Sequence, residues 1–503
     1  MDVETPERTA APATTRLRRY EDLPGPRPYP IVGNALQLDS RTSHLQLQRW
    51  CDEYGPIYRM RIGPRRVMVI GDHGLVAQVL RDRPEGFRRT SALETIWTEL
   101  GMQPGLFAVN GEVWKRQRRM VMAGFDPAHV KRYFPALQQV AAALARRWQK
   151  AAQQGQAIDL QADLMRYTVD TIAGLAFGAE VNTLETEGNV LQHHLDKIFP
   201  ALGRRLLLPL PIWRWWRSAA DREVERGVAE VNKAVDGFIA QARARMAAEP
   251  SRREHPENLL EAMLAVANEP GSGIDDAQVS GNVLTMLLAG EDTTANTIAW
   301  MIHLLWRHPA ALQRAQAEVR SVVSDPARPT WDEMARLGFI EACAHETMRL
   351  KPVAPLLVVQ ALADTTLADV QVPKGMVVTT VMRRDSVSEE HVPRATAFEP
   401  ERWLAAGVGG TAALAASARR VSMPFGAGPR ICPGRYLALL EMKMAMATLL
   451  GRFTLESVDT PDGQIAQEKL AFAMAPVGLT MRLRVAEAAF AVTGRSEARS
   501  IGH

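Results

Sequence analysis

The chain has 503 residues, 47% of them apolar and 23% charged, with a formal net charge of +4. This is ordinary globular composition with enough apolar content for a large core, which excludes disorder, and the small charge without a basic stripe argues against nucleic-acid binding. Three distant cysteines, Cys51, Cys343 and Cys432, exclude a disulfide framework and a zinc or iron–sulfur centre built from cysteine alone, and they fit a reducing cytoplasm.

Residues 1–20 carry Asp2, Glu4 and Glu7 and no apolar run, so they are neither a signal peptide nor a spanning helix. A mobile extension is expected there and a flexible tail at 487–503, flanking one domain at 21–486. The run Leu23-Pro24-Gly25-Pro26-Arg27-Pro28-Tyr29-Pro30 reads as stiff and extended, because each proline fixes its own φ and restricts its predecessor. Residues 57–62 and 67–70 read as strands of a hairpin turned by Gly63-Pro64-Arg65-Arg66. From about 110 to 350 the periodicity is helical, with long helices predicted over 128–153, 221–248 and 281–306. Between them, 206–216 is apolar but broken by Pro209, Pro211 and Arg214. It cannot span a membrane; core packing and an apolar entrance lip in peripheral membrane contact are both open readings. Strand and turn signals return at 370–378 and between 470 and 485. No repeat or linker divides the chain, so the fold class expected is mainly α with a minor β region, in a soluble, cytoplasmic protein.

The segment richest in chemistry is Pro424-Phe425-Gly426-Ala427-Gly428-Pro429-Arg430-Ile431-Cys432-Pro433-Gly434-Arg435, a Gly/Pro loop around one cysteine, followed by a helical run over 436–450. A thiolate just before a helix N-terminus faces oriented N–H groups and the positive dipole end, which favour the anion. Gly428 and Gly434 would let backbone amides approach the sulfur, and Arg430 suits a carboxylate at the edge of a cofactor. Taken alone, the loop is equally compatible with a buried structural cysteine in a turn. The whole string resembles the haem-binding loop of cytochromes P-450, with Phe425, Gly428, Arg430, Cys432 and Gly434 in register. The resemblance implies the cytochrome P-450 fold, with haem b (iron protoporphyrin IX) between a distal helix and this proximal loop. It implies Cys432 as the iron ligand, with Pro424, Phe425, Gly426, Arg430 and Gly434 around the cofactor.

Four more segments carry the resemblance in the same order as in the family. Glu346-Thr347-Met348-Arg349 places Glu and Arg three apart on one helical face. With Phe398-Glu399-Pro400-Glu401-Arg402-Trp403 it is similar to the segments whose Glu346, Arg349 and Arg402 would form a buried structural triad. Trp114-Lys115-Arg116-Gln117-Arg118 resembles the helix that meets a haem propionate through Trp114 and Arg118. Ala289-Gly290-Glu291-Asp292-Thr293-Thr294 interrupts an otherwise apolar helix with poor helix formers. It resembles the distal helix, whose Ala289 and Gly290 would make room for dioxygen while Asp292 and Thr293 deliver protons.

The implied activity is a monooxygenase that takes two external electrons and O2 and oxidises a hydrophobic substrate such as a fatty acid, terpenoid, steroid or aromatic, by hydroxylation, epoxidation or dealkylation. A peroxide-using or non-monooxygenase haem-thiolate protein is the alternative, which the Asp292–Thr293 pair disfavours. Electrons are expected from a ferredoxin or flavodoxin with its NAD(P)H-dependent reductase, steered by Lys115, Arg116, Arg119, Arg430 and Arg435. A monomer is expected. The expected substrate lining, without a charged anchor, is Ile96, Trp97, Leu100, Phe107, Phe199 and its neighbours to Leu210, Leu288, Ala289, Thr293, Val353, Leu356, Leu357 and Met474. Two departures from the family stand out: Gln360 replaces a common basic residue and Arg383 a common His, so Arg383 is a candidate substitute at the propionates. Gly407-Val408-Gly409-Gly410-Thr411-Ala412 matches a dinucleotide fingerprint, the remote alternative of a nicotinamide-dependent dehydrogenase, but no strand precedes it.

Overall fold

The computed structural model describes residues 16–125, 127–179, 181–186, 190–208, 210–404 and 417–486. The predicted hairpin forms with a tighter turn than expected. Gly63 adopts φ +57°, which a glycine tolerates without strain, so strands Ile57–Ile62 and Arg65–Ile70 meet across Gly63-Pro64, with Ile62 opposite Arg65. Val377–Val381 adds in parallel to the second strand, and Leu356–Ala361 and Phe87–Arg89 follow antiparallel. This five-stranded sheet is flanked by small two- and three-stranded sheets, including the pairing of Phe453–Asp459 with Thr480–Val485.

Helices make up most of the rest, as expected. The predicted 128–153 helix is split into Pro127–Arg132 and Phe134–Gln153, because Pro135 sits in a first turn and starts the second helix afresh. Ala219–Ala248 starts from a reciprocal cap between Ser218 and Asp221. Helix Asp276–Arg307, capped by Asp275, runs through the middle of the molecule against Leu160–Thr171, Gly338–Leu350 and Arg435–Arg452. Val283, Leu284, Leu287, Ile298, Met301, Ile302 and Leu305 along it are all buried; each contributes about 1.5–3 kcal/mol by leaving water.

Part of the segment expected to be mobile is tied down. The Arg18 guanidinium pairs with Asp369 at 2.7 Å, and Tyr20 donates its hydroxyl hydrogen bond to the Met60 carbonyl at 2.7 Å. Residues 1–15 and 487–503, and the 407–412 fingerprint, lie outside the described residues. Among the described residues no helix is long and apolar enough to cross a membrane.

Candidate active site

A cavity of about 1390 Å³ opens between the central helix and the Cys432 loop. Of the three cysteines, Cys432 lines it, while Cys51 and Cys343 are sealed in the core. Burial pushes the Cys51 thiol up to about 12 and Cys343 well above its ordinary value, so both are inert. Burial also raises the Cys432 thiol, but the Gly434 amide, Arg118 and Arg435 all oppose that shift by favouring a thiolate.

The loop is shaped by backbone bonds, with Cys432 N–H donating to the Phe425 carbonyl at 2.9 Å and Ile431 N–H to Gly428 at 3.0 Å. Gly434, next to helix Arg435–Arg452, supplies the expected amide to the sulfur. Gly428 has a different reason for being glycine. At φ +70° a Cβ there would stand 2.6 Å from Arg81 Cα, so the glycine admits helix His73–Arg81 against the loop. Pro424, Phe425 and Gly426 line the cavity.

On the opposite wall the central helix presents Thr285, Met286, Ala289, Gly290, Thr293 and Thr297, a stripe of three- and four-residue spacing. Thr293 donates its hydroxyl hydrogen bond to the Ala289 carbonyl at 2.8 Å. Gly290 lines the cavity, but a Cβ there would also lie 2.7 Å from Ile172 Cδ1. The glycine therefore admits Ile172, which starts a π-helical turn over Ile172–Ala176, a distortion common at functional sites. Asp292 is half-buried and falls beside the stripe rather than on the cavity wall. Sequence reading missed Glu441, which lines the cavity from the helix following Cys432. Burial pushes its carboxyl up to about 8, opposed by a hydrogen bond with Thr294. The available signal was a lone acid amid Leu439, Leu440, Met442 and Met444.

One edge of the cavity carries Arg83, Arg89, Arg118 and Arg430. None forms an ion pair with a described carboxylate, and the Nε atoms of Arg89 and Arg430 are buried without hydrogen-bond partners. Burial, with mutual repulsion, pushes Arg430 to about 10 and Arg89 well below its ordinary value. The Arg430 guanidinium lies 4.7 Å over the Trp114 ring and donates to the Val109 carbonyl at 2.7 Å. Arg89 lies 4.2 Å over the Phe107 ring. Buried cations left this way require an anion, and two carboxylates at one edge of a flat apolar cofactor fit that need. The residues present therefore fit a haem: Cys432 toward the metal, and Trp114, Arg118, Arg89 and Arg430 around the propionates.

Two expectations about cations are corrected. Arg383 does not serve this edge; it pairs with Glu468 at 2.7 Å and Gln48 at 3.0 Å. Arg89, on the strand beside Gln360, occupies the cavity instead. Arg430 points inward and so is not a surface cation for a redox partner.

Glu346, Arg349 and Arg402 come together in one cluster. Arg349 grips Glu346 with two bonds of 2.7 and 2.8 Å, Arg402 reaches Glu346 at 3.0 Å, and Trp403 donates to it at 2.8 Å. All three charged side chains are buried, and both arginines also hold backbone carbonyls between Ser386 and Ala397. None touches the cavity.

Of the expected substrate lining, Phe107, Ala289, Thr293, Val353, Leu356 and Leu357 are on the wall, and the 199–210 stretch contributes Pro200, Gly203 and Leu206. Ile96, Trp97 and Leu100 pack into the core from helix Ser91–Glu99 and its end, Leu288 sits off the cavity stripe, and Met474 is buried, its N–H donating to the Val353 carbonyl. The Phe199 side chain lies outside the described residues. Leu106 and Phe472 were missed, as were the cations Arg41, Arg65 and Lys469. Arg66, Arg204, Lys374 and Glu441 line it as well, so charged side chains are spread through a lining expected to lack a charged anchor.

The family model for Cytochrome P450 matches residues 23–482. The chain is similar to the pentalenene oxygenase of Streptomyces avermitilis, 28% identical over 91% of this chain and 96% of that one. It is similar to the chloroplastic carotene epsilon-monooxygenase of Arabidopsis thaliana, 28% identical over 87% of this chain and 81% of that one. It also matches the bifunctional cytochrome P450/NADPH–P450 reductase of Bacillus cereus, 26% identical over 87% of this chain but 40% of that one. With a family match over nearly the whole described domain and a cavity walled by one open cysteine, the chain belongs to the cytochrome P450 family of haem-dependent monooxygenases.

Proposed function

We propose that the protein binds haem b through Cys432 and inserts one oxygen atom from O2 into a hydrophobic organic substrate, with electrons supplied by a ferredoxin or flavodoxin and its reductase. The observation that carries this reading is the facing of Cys432 and the Ala289–Thr293 stripe across one large cavity edged by unpaired arginines. The cofactor, when bound, supplies dioxygen activation, with its potential set by the cysteine. The chain's own residues bind, orient and deliver protons. Trp114, Arg118, Arg89 and Arg430 hold the acidic edge, and Phe107, Leu106, Met286, Leu356, Leu357 and Phe472 exclude water and orient an apolar substrate. Thr293 holds its proton on Oγ1 with the Ala289 carbonyl as a resting acceptor; turning that hydroxyl toward the cavity offers a hydrogen bond there. Asp292, one residue away on the outer side, relays protons to it from solvent.

The pentalenene and carotene oxygenases among the relatives favour a terpenoid-like substrate within the broader apolar class. Leu210, Ile212, Trp215 and Trp216 follow the cavity-lining Leu206, and the two tryptophans are 75% and 78% exposed. They support a peripheral membrane contact at the cavity entrance. Exposed Lys115 and Arg119, on the helix whose Trp114 and Arg118 face inward, support a basic docking surface for the donor, although Lys115 is already paired with Glu112.

The test is a titration of the ferric holoprotein with fatty acids, terpenoids, steroids and aromatics, following the Soret band. A saturable spin-state shift with one apolar class supports the reading. A protein that holds haem but responds to none of them would refute the small apolar substrate.

A further inference from the structure

We propose that His73, Asp385 and His391 form a binding site for one borderline divalent cation, with zinc and nickel matching the ligand set. His73 is the first residue of helix His73–Arg81, Asp385 opens the short helix Asp385–Val387, and His391 lies in the following turn. His73 Nδ1 stands 2.8 Å from Asp385 Oδ2 and His391 Nε2 3.5 Å from the same oxygen. All three ligand atoms lie within 4.8 Å of one another. Donors sharing one tetrahedral zinc at about 2.0–2.1 Å sit roughly 3.3 Å apart, so small side-chain rotations complete the site.

The surroundings suit a cation that arrives from solvent. The Asp385 side chain is 2% exposed and the two histidines 18% and 16%, which leaves an outward coordination position for water. Arg384 holds Asp385 Oδ1 at 2.6 Å, and the His73 backbone N–H holds Oδ2 at 2.7 Å, so the carboxylate is already oriented. The same Arg384 and the positive helix end reduce affinity relative to a four-ligand structural site. Two imidazoles and a carboxylate select transition-series ions over magnesium.

The position gives the site a role as a staple. None of the three residues lines the cavity. The far end of helix His73–Arg81 supports Gly428 of the cysteine loop, and Ser386, beside Asp385, accepts a bond from Arg349. A bound cation ties the helix behind the cysteine loop to the segment that the buried triad holds.

Calorimetric titration of the holoprotein with zinc chloride, and separately with magnesium chloride, tests this. The expected result is one saturable zinc site, no magnesium site, and a melting temperature raised by about 1–2 °C at saturating zinc. His391→Gln and His73→Asn keep a hydrogen-bonding group toward Asp385 and remove an imidazole ligand; each should weaken zinc binding at least tenfold and abolish the melting shift. Wild-type protein that binds no zinc, or variants that bind it with unchanged affinity and stoichiometry, would overturn the proposal.

Discussion

Glu441 makes the protein's stability depend on pH in a direction opposite to that of a salt-bridged carboxylate. Its carboxyl is fully buried and pushed up to about 8, against about 4.3 for an exposed glutamate. The folded state therefore holds this proton more tightly than the unfolded state. The resulting stabilisation is complete below about pH 4 and is lost progressively as pH rises toward 8. A rise from the ordinary carboxyl range to about 8 corresponds to about 5 kcal/mol in all, most of which falls between pH 5 and pH 8. Glu441→Gln preserves shape and a partner for Thr294 while removing the titration. Urea unfolding of the two holoproteins, followed by far-ultraviolet dichroism at pH 5, 6, 7 and 8, should show the variant gaining on the wild type by about 3–5 kcal/mol across that range. Parallel stability curves would mean that Glu441 is not held protonated and that water or a cation meets the carboxylate.

Other residues give sharper functional readouts. Glu346→Ala leaves Arg349 and Arg402 buried without their shared anion, so unfolding free energy should fall by about 3–5 kcal/mol; a loss below 1 kcal/mol in urea unfolding would contradict the triad's role. Arg89→Leu removes one unpaired cation from the cofactor edge. Loss of a charge-assisted bond of about 1.5–3 kcal/mol should speed haem transfer to an acceptor protein roughly tenfold or more, while Arg383→Leu should not act through the propionates. Thr293→Ala removes the hydroxyl on the cavity wall and should divert donor electrons to hydrogen peroxide; unchanged coupling of electron use to product would remove Thr293 from the proton path.

What the sequence reveals depends on how far apart the cooperating residues lie. The cysteine loop, the Glu346–Arg349 pair and the Ala289–Thr293 stripe are each contained in one short string, so spacing and resemblance locate them. The arginine cluster joins Arg83 and Arg89 to Arg430 across more than three hundred positions, and only the strand Phe87–Arg89, paired to Leu356–Ala361, brings Arg89 there. Helix existence was legible but helix phase was not. Leu288 and Asp292 lie one residue from Ala289 and Thr293, and that rotation takes both off the cavity wall. Gly290 and Gly428 were legible as special but not for their full reason, since the close neighbours, Ile172 and Arg81, come from distant elements.

Cys432, and neither Cys51 nor Cys343, should bind the haem iron. The most direct measurement is the absorption spectrum of the reduced, carbon monoxide-bound holoprotein, in wild type and in Cys432→His. A Cys432 ligand gives a thiolate-type spectrum in the wild type and an imidazole-type spectrum, with the fold retained, in the variant. A thiolate-type spectrum that survives Cys432→His, or is absent from folded, haem-loaded wild type, would contradict it.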